Sequence, residues 1–176
     1  METLTSKTRS RAPLLFLVAV LVALTAIVVV GARVDDPGRP DADGLVEVTM
    51  DRYRFVPDEL FLPAETPVTL SFTNVGNNVH TVALGRQVIE ENGEQFGFRE
   101  DLVADLSPTL VPQRTRLGPI GPDEPFRFTV GPGETVRLSV TIPEERVGDW
   151  EIGCFNACGA HYRAGLAGTV RVEAPQ

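Results

Sequence analysis

The sequence predicts an all-β sandwich or barrel joined to one N-terminal transmembrane helix. Two observations carry the first part: apolar residues alternate with polar ones in short runs, and clusters of turn residues separate those runs. A third carries the second part: Ala12 to Ala32 is an uncharged apolar stretch of 21 residues, close to the ~20 a helix needs to cross the hydrocarbon core.

Residues 1–11 carry Lys7, Arg9 and Arg11 and so read as a cytoplasmic basic segment, which places everything after Arg33 outside the cell membrane. The 12–32 segment is longer than the 7–15 residues usual for a signal-peptide core, which favours an uncleaved anchor. Val30-Gly31-Ala32 nevertheless supplies small residues for signal peptidase, and cleavage there would make the domain secreted. Residues 33–44 (RVDDPGRPDADG) read as a polar linker. As a flexible coil it would reach on the order of 20 Å.

From Leu45 to Gln176 the period is two. Val68, Leu70 and Phe72 alternate with Thr69 and Ser71, and Phe126, Phe128 and Val130 repeat the pattern. Val136, Leu138, Val140 and Ile142 follow, then Trp150, Ile152 and Cys154, and finally Val170 and Val172. Such alternation marks strands with one face on a core. Turns are expected at Pro63–Thr66, Gly131–Gly133 and Val147–Asp149. Residues 86–125 break the rhythm with dispersed prolines and charges and read as an insertion, with a short helix over Phe98 to Leu106 and an extended stretch from Pro108.

Charge excludes one class of function. The chain holds 24 acidic against 16 basic residues, a net charge of −8, and nucleic-acid binding needs clustered Lys and Arg. No Gly-rich loop with Lys and Ser/Thr is present to cradle a phosphate.

The chemistry-bearing side chains gather in two places. His80 ends the run Asn74-Val75-Gly76-Asn77-Asn78-Val79-His80, and the other histidine and both cysteines lie within Cys154-Phe155-Asn156-Ala157-Cys158-Gly159-Ala160-His161. Imidazole plus thiolate suits a soft or borderline transition metal, and two histidines with one cysteine form the equatorial set of an electron-transfer copper. A structural zinc site would show paired Cys/His clusters, whereas His80 stands apart. Cys154 and Cys158 also have a spacing that a disulfide can bridge in an oxidising compartment.

Three segments give the chain a family likeness. Tyr53–Pro57 through Leu60–Ala64, with Pro67–Asn74 and His80, resemble the opening strands and first ligand loop of the cupredoxins. Pro132–Val136 is similar to the turn before a middle strand of that family, and Gly148–Cys154 followed by His161–Val170 to its ligand loop. The resemblance implies a Greek-key β-sandwich that binds copper through His80, His161 and a cysteine and passes single electrons, with His161 as the electron exit. Asn74, Asn77 and Asn78 are then expected to pin the ligand loops by hydrogen bonds from outside the metal plane.

Two departures bear on mechanism. Leu166 stands where most cupredoxins carry an axial Met, which implies a trigonal site with a raised potential. There are also two candidate thiolates. Cys154 has the Trp-x-Ile-x-Cys strand context, and Cys158 has the short plastocyanin-like spacing to His161. Cys-x3-Cys-Gly followed by His also resembles the binuclear CuA-type domain of heme-copper oxidase subunit II, where two sulfurs bridge two coppers. The expectation is therefore a membrane-anchored, extracytoplasmic one-electron carrier with one copper and a redox protein or respiratory complex as partner. A two-copper oxidase domain, a copper sequestration or delivery protein, and a metal-free interaction module with a Cys154–Cys158 disulfide stay open as alternatives.

Overall fold

A computed structural model describes residues 38–112 and 125–175. The expected 12–32 anchor lies outside the described residues; among those described, no helix is long and apolar enough to cross a membrane.

The strands are β1 (Leu45–Asp51), β2 (Arg54–Val56), β3 (Glu59–Pro63), β4 (Pro67–Asn74), β5 (His80–Glu91), β6 (Glu94–Asp101), β7 (Thr109–Val111), β8 (Arg127–Val130), β9 (Thr135–Thr141), β10 (Gly148–Gly153) and β11 (Ala167–Glu173). A 3-10 turn at Glu144–Arg146 precedes β10, and a short helical segment, α1 (Asn156–Arg163), follows it. One sheet has the order β2-β1-β4-β9-β7 and the other β3-β11-β10-β5-β6, with β8 also paired to β5. Alternation in β4 and β9 puts Val68, Leu70 and Phe72 opposite Val140, Leu138 and Val136. Their side chains meet those of Leu60, Val82, Ile152 and Val170 from the other sheet in one core. Phe72 and Phe128 pack across that core with ring centroids 5.6 Å apart. The result is the two-sheet sandwich that period-two alternation implies.

Among its described residues, the region read as an insertion is mostly sheet. β5 continues to Glu91 and returns as β6 around Asn92-Gly93, both at positive φ (53° and 79°). That is the two-residue hairpin turn for which Asn-Gly is the strongest short signal. The helix expected over Phe98–Leu106 therefore does not form: Phe98 is a strand residue inside the hairpin. Gln87 has φ 61°, the β5–β6 register shifts between Ile89 and Glu90, and Phe98 lies against Gly85. A Cβ on Gly85 would sit 2.5 Å from that of Phe98 and 2.3 Å from the Glu100 carbonyl oxygen.

Of the segment read as a linker, residues 38–44 are described. From Gly38 onward it is fixed to the domain: the Phe61 N–H donates to the Gly38 carbonyl. Arg39 makes a bidentate pair with Glu173 and lies 4.3 Å over the Phe61 ring. Asp41 accepts from the Asp43 and Leu45 N–H groups, which turns the chain into β1.

After β6 the chain turns on Asp101. Its carboxylate accepts the N–H groups of Val103, Ala104 and Phe126, while burial pushes its pKa up against those bonds. Asp101→Ala would orphan three amides that are largely shielded from water. We expect a loss of about 2–3 kcal/mol of stability, read as a lower urea midpoint at unchanged slope. A midpoint equal to the parent chain's would show that these amides find other partners.

Candidate metal centre

The two strands that carry the site are neighbours in the second sheet. β5 runs antiparallel to β10 with Ala83 opposite Gly153, so the start of β5 and the end of β10 lie at one end of the sandwich. His80 opens β5 and Cys154 follows β10; both are fully buried. β8 holds the other side of His80, with Val130 opposite it.

The chain then leaves β10 through a loop that closes on itself. The Cys154 N–H donates to the Leu166 carbonyl, and the Leu166 N–H to the His161 carbonyl. Within it, Ala157, Cys158 and Gly159 adopt a left-handed turn (φ 52°, 54° and 78°). Residues with a Cβ pay roughly 1–2 kcal/mol each for that conformation, so neighbouring contacts must hold it. The remainder of α1 swings His161 back over Cys154.

Three ligand atoms converge as a result. Cys154 Sγ lies 3.6 Å from His161 Nδ1 and 4.0 Å from His80 Nδ1, and the two Nδ1 atoms are 3.3 Å apart. A trigonal centre with bonds of about 2.0 Å to nitrogen and 2.3 Å to sulfur would separate its nitrogens by about 3.5 Å and nitrogen from sulfur by about 3.7 Å. The spacing fits one metal ion held by all three. Among the described residues this is the one group of three or more His, Cys, Asp and Glu side chains with such convergence.

The surroundings shift His80 and Cys154 toward their neutral forms. Burial, and after it the adjacent His161, lowers the pKa of His80. Burial raises that of Cys154, opposed by N–H bonds to its sulfur from Thr81, at 3.3 Å, and from Asn156. Those two bonds aim the sulfur and offset part of the charge a thiolate would bring.

The other expected residues fall in different places. Asn74 is fully buried; its Nδ2 donates to the Asn78 and Val130 carbonyls and its Oδ1 accepts from the Gly76 N–H. It thus fixes the 75–79 loop to β8 rather than to the cysteine loop. Asn78 takes part through its carbonyl, and the side chains of Asn77 and Asn78 face solvent. Leu166 is fully buried in the core that also contains Cys154. Cys158 is exposed, outside the three-residue cluster, and bonded to the Glu94 carboxylate, whose charge raises the thiol pKa. No disulfide joins it to Cys154.

Asn156 and Thr81, which the sequence reading passed over, tie the two ligand loops together. The Asn156 Nδ2 donates to the Val79 carbonyl at 2.8 Å, and the Thr81 hydroxyl donates to Asn156 Oδ1. The available signal was a polar residue beside each buried ligand, Thr81 after His80 and Asn156 two after Cys154. At the surface, the Tyr53 ring meets His161 edge-on with centroids 5.5 Å apart.

No family model matches the chain, and no curated protein is similar to it. Solved structures are similar in fold. A dithionite-reduced auracyanin from the photosynthetic bacterium Roseiflexus castenholzii shares 17% identity over 76% of this chain and 99% of its own, with a TM-score of 0.49. Auracyanin A, described as a "blue" copper protein from the green thermophilic photosynthetic bacterium Chloroflexus aurantiacus, shares 16% over 73% and 98%, also with a TM-score of 0.49. A multi-copper oxidase from Pediococcus acidilactici shares 14% over 77% of this chain and 28% of its own, with a TM-score of 0.46. At these identities and TM-scores, the metal assignment rests on His80, Cys154 and His161 themselves, whose donor set and spacing fit a cupredoxin copper site.

Asn156→Ala removes the two bonds its side chain makes to the first ligand loop. We expect it to weaken copper binding about 10–100-fold in a competition titration with a coloured chelator, with the thermal unfolding midpoint of the metal-free protein nearly unchanged. Unchanged affinity would assign loop pinning to the backbone alone.

Proposed function

We propose that the chain is a one-electron carrier in which His80, Cys154 and His161 hold a single copper ion, on an extracytoplasmic domain anchored by the 12–32 helix. The observation that carries this reading is the convergence of two Nδ1 atoms and one Sγ at one end of a rigid sandwich. When bound, copper supplies a one-electron couple tuned by its ligands.

The protein's part is to hold those ligands still in both oxidation states. His80 and Cys154 are fixed by strands inside the core, and His161 by a loop closed through Leu166. Burial keeps water from the sulfur, and the N–H bonds from Thr81 and Asn156 spread its charge into the backbone. Leu166 offers no donor atom, which supports a three-ligand site with a potential shifted toward the reduced ion. His161 is the ligand nearest solvent, half-buried beneath Tyr53, and so forms the route by which an electron reaches a docked redox protein or respiratory complex. The exposure of Cys158 outside the three converging ligand atoms favours one thiolate and one ion over a two-copper centre.

The copper-loaded chain is expected to show an intense blue thiolate band, one copper per chain and the EPR hyperfine pattern of one nucleus. A purple species with two coppers sharing the unpaired electron would move the chain to the CuA-type reading. Tight Cu(I) binding without electron exchange with small redox proteins would make it a copper store. His80→Ala is expected to abolish high-affinity binding while the far-UV circular dichroism keeps its β signature.

The pH dependence follows from the thiol. The Cys154 pKa lies above its ordinary value, so near neutrality the metal-free protein holds that proton and must release it on binding. The lowered His80 pKa leaves its imidazole already neutral there. Cu(I) affinity should therefore rise about tenfold per pH unit from near neutrality upward. Affinity independent of pH in competition titrations would mean that Cys154 is not the ligand.

A further inference from the structure

The β5–β6 hairpin folds over the ligand loop, and its residues account for features the carrier reading does not use. Phe98 of β6 packs edge-on against Phe155, the residue after Cys154, and near Tyr162, the residue after His161; Phe155 and Tyr162 stack at 4.9 Å and 12°. With Ala83 and Phe98, these rings form a cluster separate from the main core. Tyr162 also donates its hydroxyl to Glu151 on β10. The tip of the hairpin reaches the left-handed turn. The Arg163 guanidinium donates to the Cys158 carbonyl at 3.0 Å and approaches that of Gly93 at 3.5 Å. The Glu94 carboxylate lies beside the Cys158 thiol and raises its pKa. At Gly159 there is no room between turn and hairpin: a Cβ would lie 2.5 Å from Gln95 Cβ and 2.6 Å from its carbonyl oxygen.

We infer that β6 is a positioning element that makes the site a one-ion, one-thiolate centre: Glu94, Gln95 and Phe98 hold the turn Ala157–Gly159 left-handed, and that turn keeps Cys158 outside the three converging ligand atoms. This rests on the copper reading for its metal arm only. A loop of the same sequence in a right-handed conformation would project Cys158 in a different direction, and the resemblance to two-thiolate centres shows what a second nearby sulfur would permit. The hairpin is thus what separates two chemistries that the Cys-x3-Cys spacing leaves open. Because its contacts are all within the protein, they shape the loop before any metal arrives.

Gly159→Ala in the full-length chain is the direct test, with Gly133→Ala as its control. Gly133 has a similar φ, 71°, but nothing within 4 Å of an added Cβ, so it reproduces the backbone strain without the clash. Glu94→Ala, a surface change, frees the Cys158 thiol and covers the case in which Gly159→Ala does not fold. In the metal-free proteins, amide hydrogen exchange over residues 156–163 should be at least about tenfold faster in Gly159→Ala and Glu94→Ala than in the parent and Gly133→Ala. On loading, both test variants should depart from one copper per chain and lose the one-nucleus EPR pattern. Exchange and stoichiometry equal to the parent's in Glu94→Ala, and in Gly159→Ala where it folds, would overturn the positioning role. A parent chain that takes up no copper would instead sink the carrier reading and leave the exchange comparison to decide the hairpin's role.

Discussion

The antiparallel register of β5 with β10 is the constraint on which the centre depends. With Ala83 opposite Gly153, the first residue of one strand and the residue after the other reach the same end of the sheet. A single backbone N–H, that of Thr81, then reaches the sulfur of Cys154 across 73 positions of sequence. A slip of one residue would turn His80 or Cys154 to the opposite face of the sheet. The pairing of β4 with β9 and the apolar core between the sheets prevent that slip. The core does no chemistry, yet it carries the cost of the site: imidazole and thiol lose hydration at the end of the sandwich, as the opposed shifts of His80 and Cys154 record.

Support for the centre comes in layers that differ in kind. Strand register sets where His80 and Cys154 stand. Side-chain bonds set how the loops meet: Asn74 ties the first loop to β8, and Asn156 ties the second loop to the first. Aromatic packing then sets the path of the second loop, because Phe98, Phe155 and Tyr162 bury one side of it against the outer face of the sheet. Left-handed residues other than glycine persist only where their surroundings over-determine them, and such strain gathers at functional sites. Here the strained turn falls between two metal-ligand candidates, and the hairpin is what over-determines it.

Much of the architecture could be read from residues because it is local. Alternation within β4, β9, β10 and β11 follows from one face meeting a core, and it marks the strands wherever the run is long enough. The hairpin was missed although Asn92-Gly93 announced its turn, because charged residues on the exposed strands hid the alternation around it. The contacts of residues 38–44 were hidden for a related reason. Arg39 looks solvated in sequence, whereas its partner, the Glu173 carboxylate, lies 134 residues away.

The same division runs through the metal centre. That two histidines and a thiolate could form a copper plane was written in the residue types, since ligand chemistry belongs to the side chain. Which sulfur joins the plane was not. Cys154 has the strand context and Cys158 the short spacing to His161, so residue pattern alone leaves both in play, and the choice between them turns on backbone handedness at Ala157–Gly159 and on contact with Glu94, some 60 residues away. Handedness at such a turn is decided by the difference between local strain and distant packing. Neither strand periodicity nor ligand spacing contains the second of those quantities, so only the folded chain could decide it.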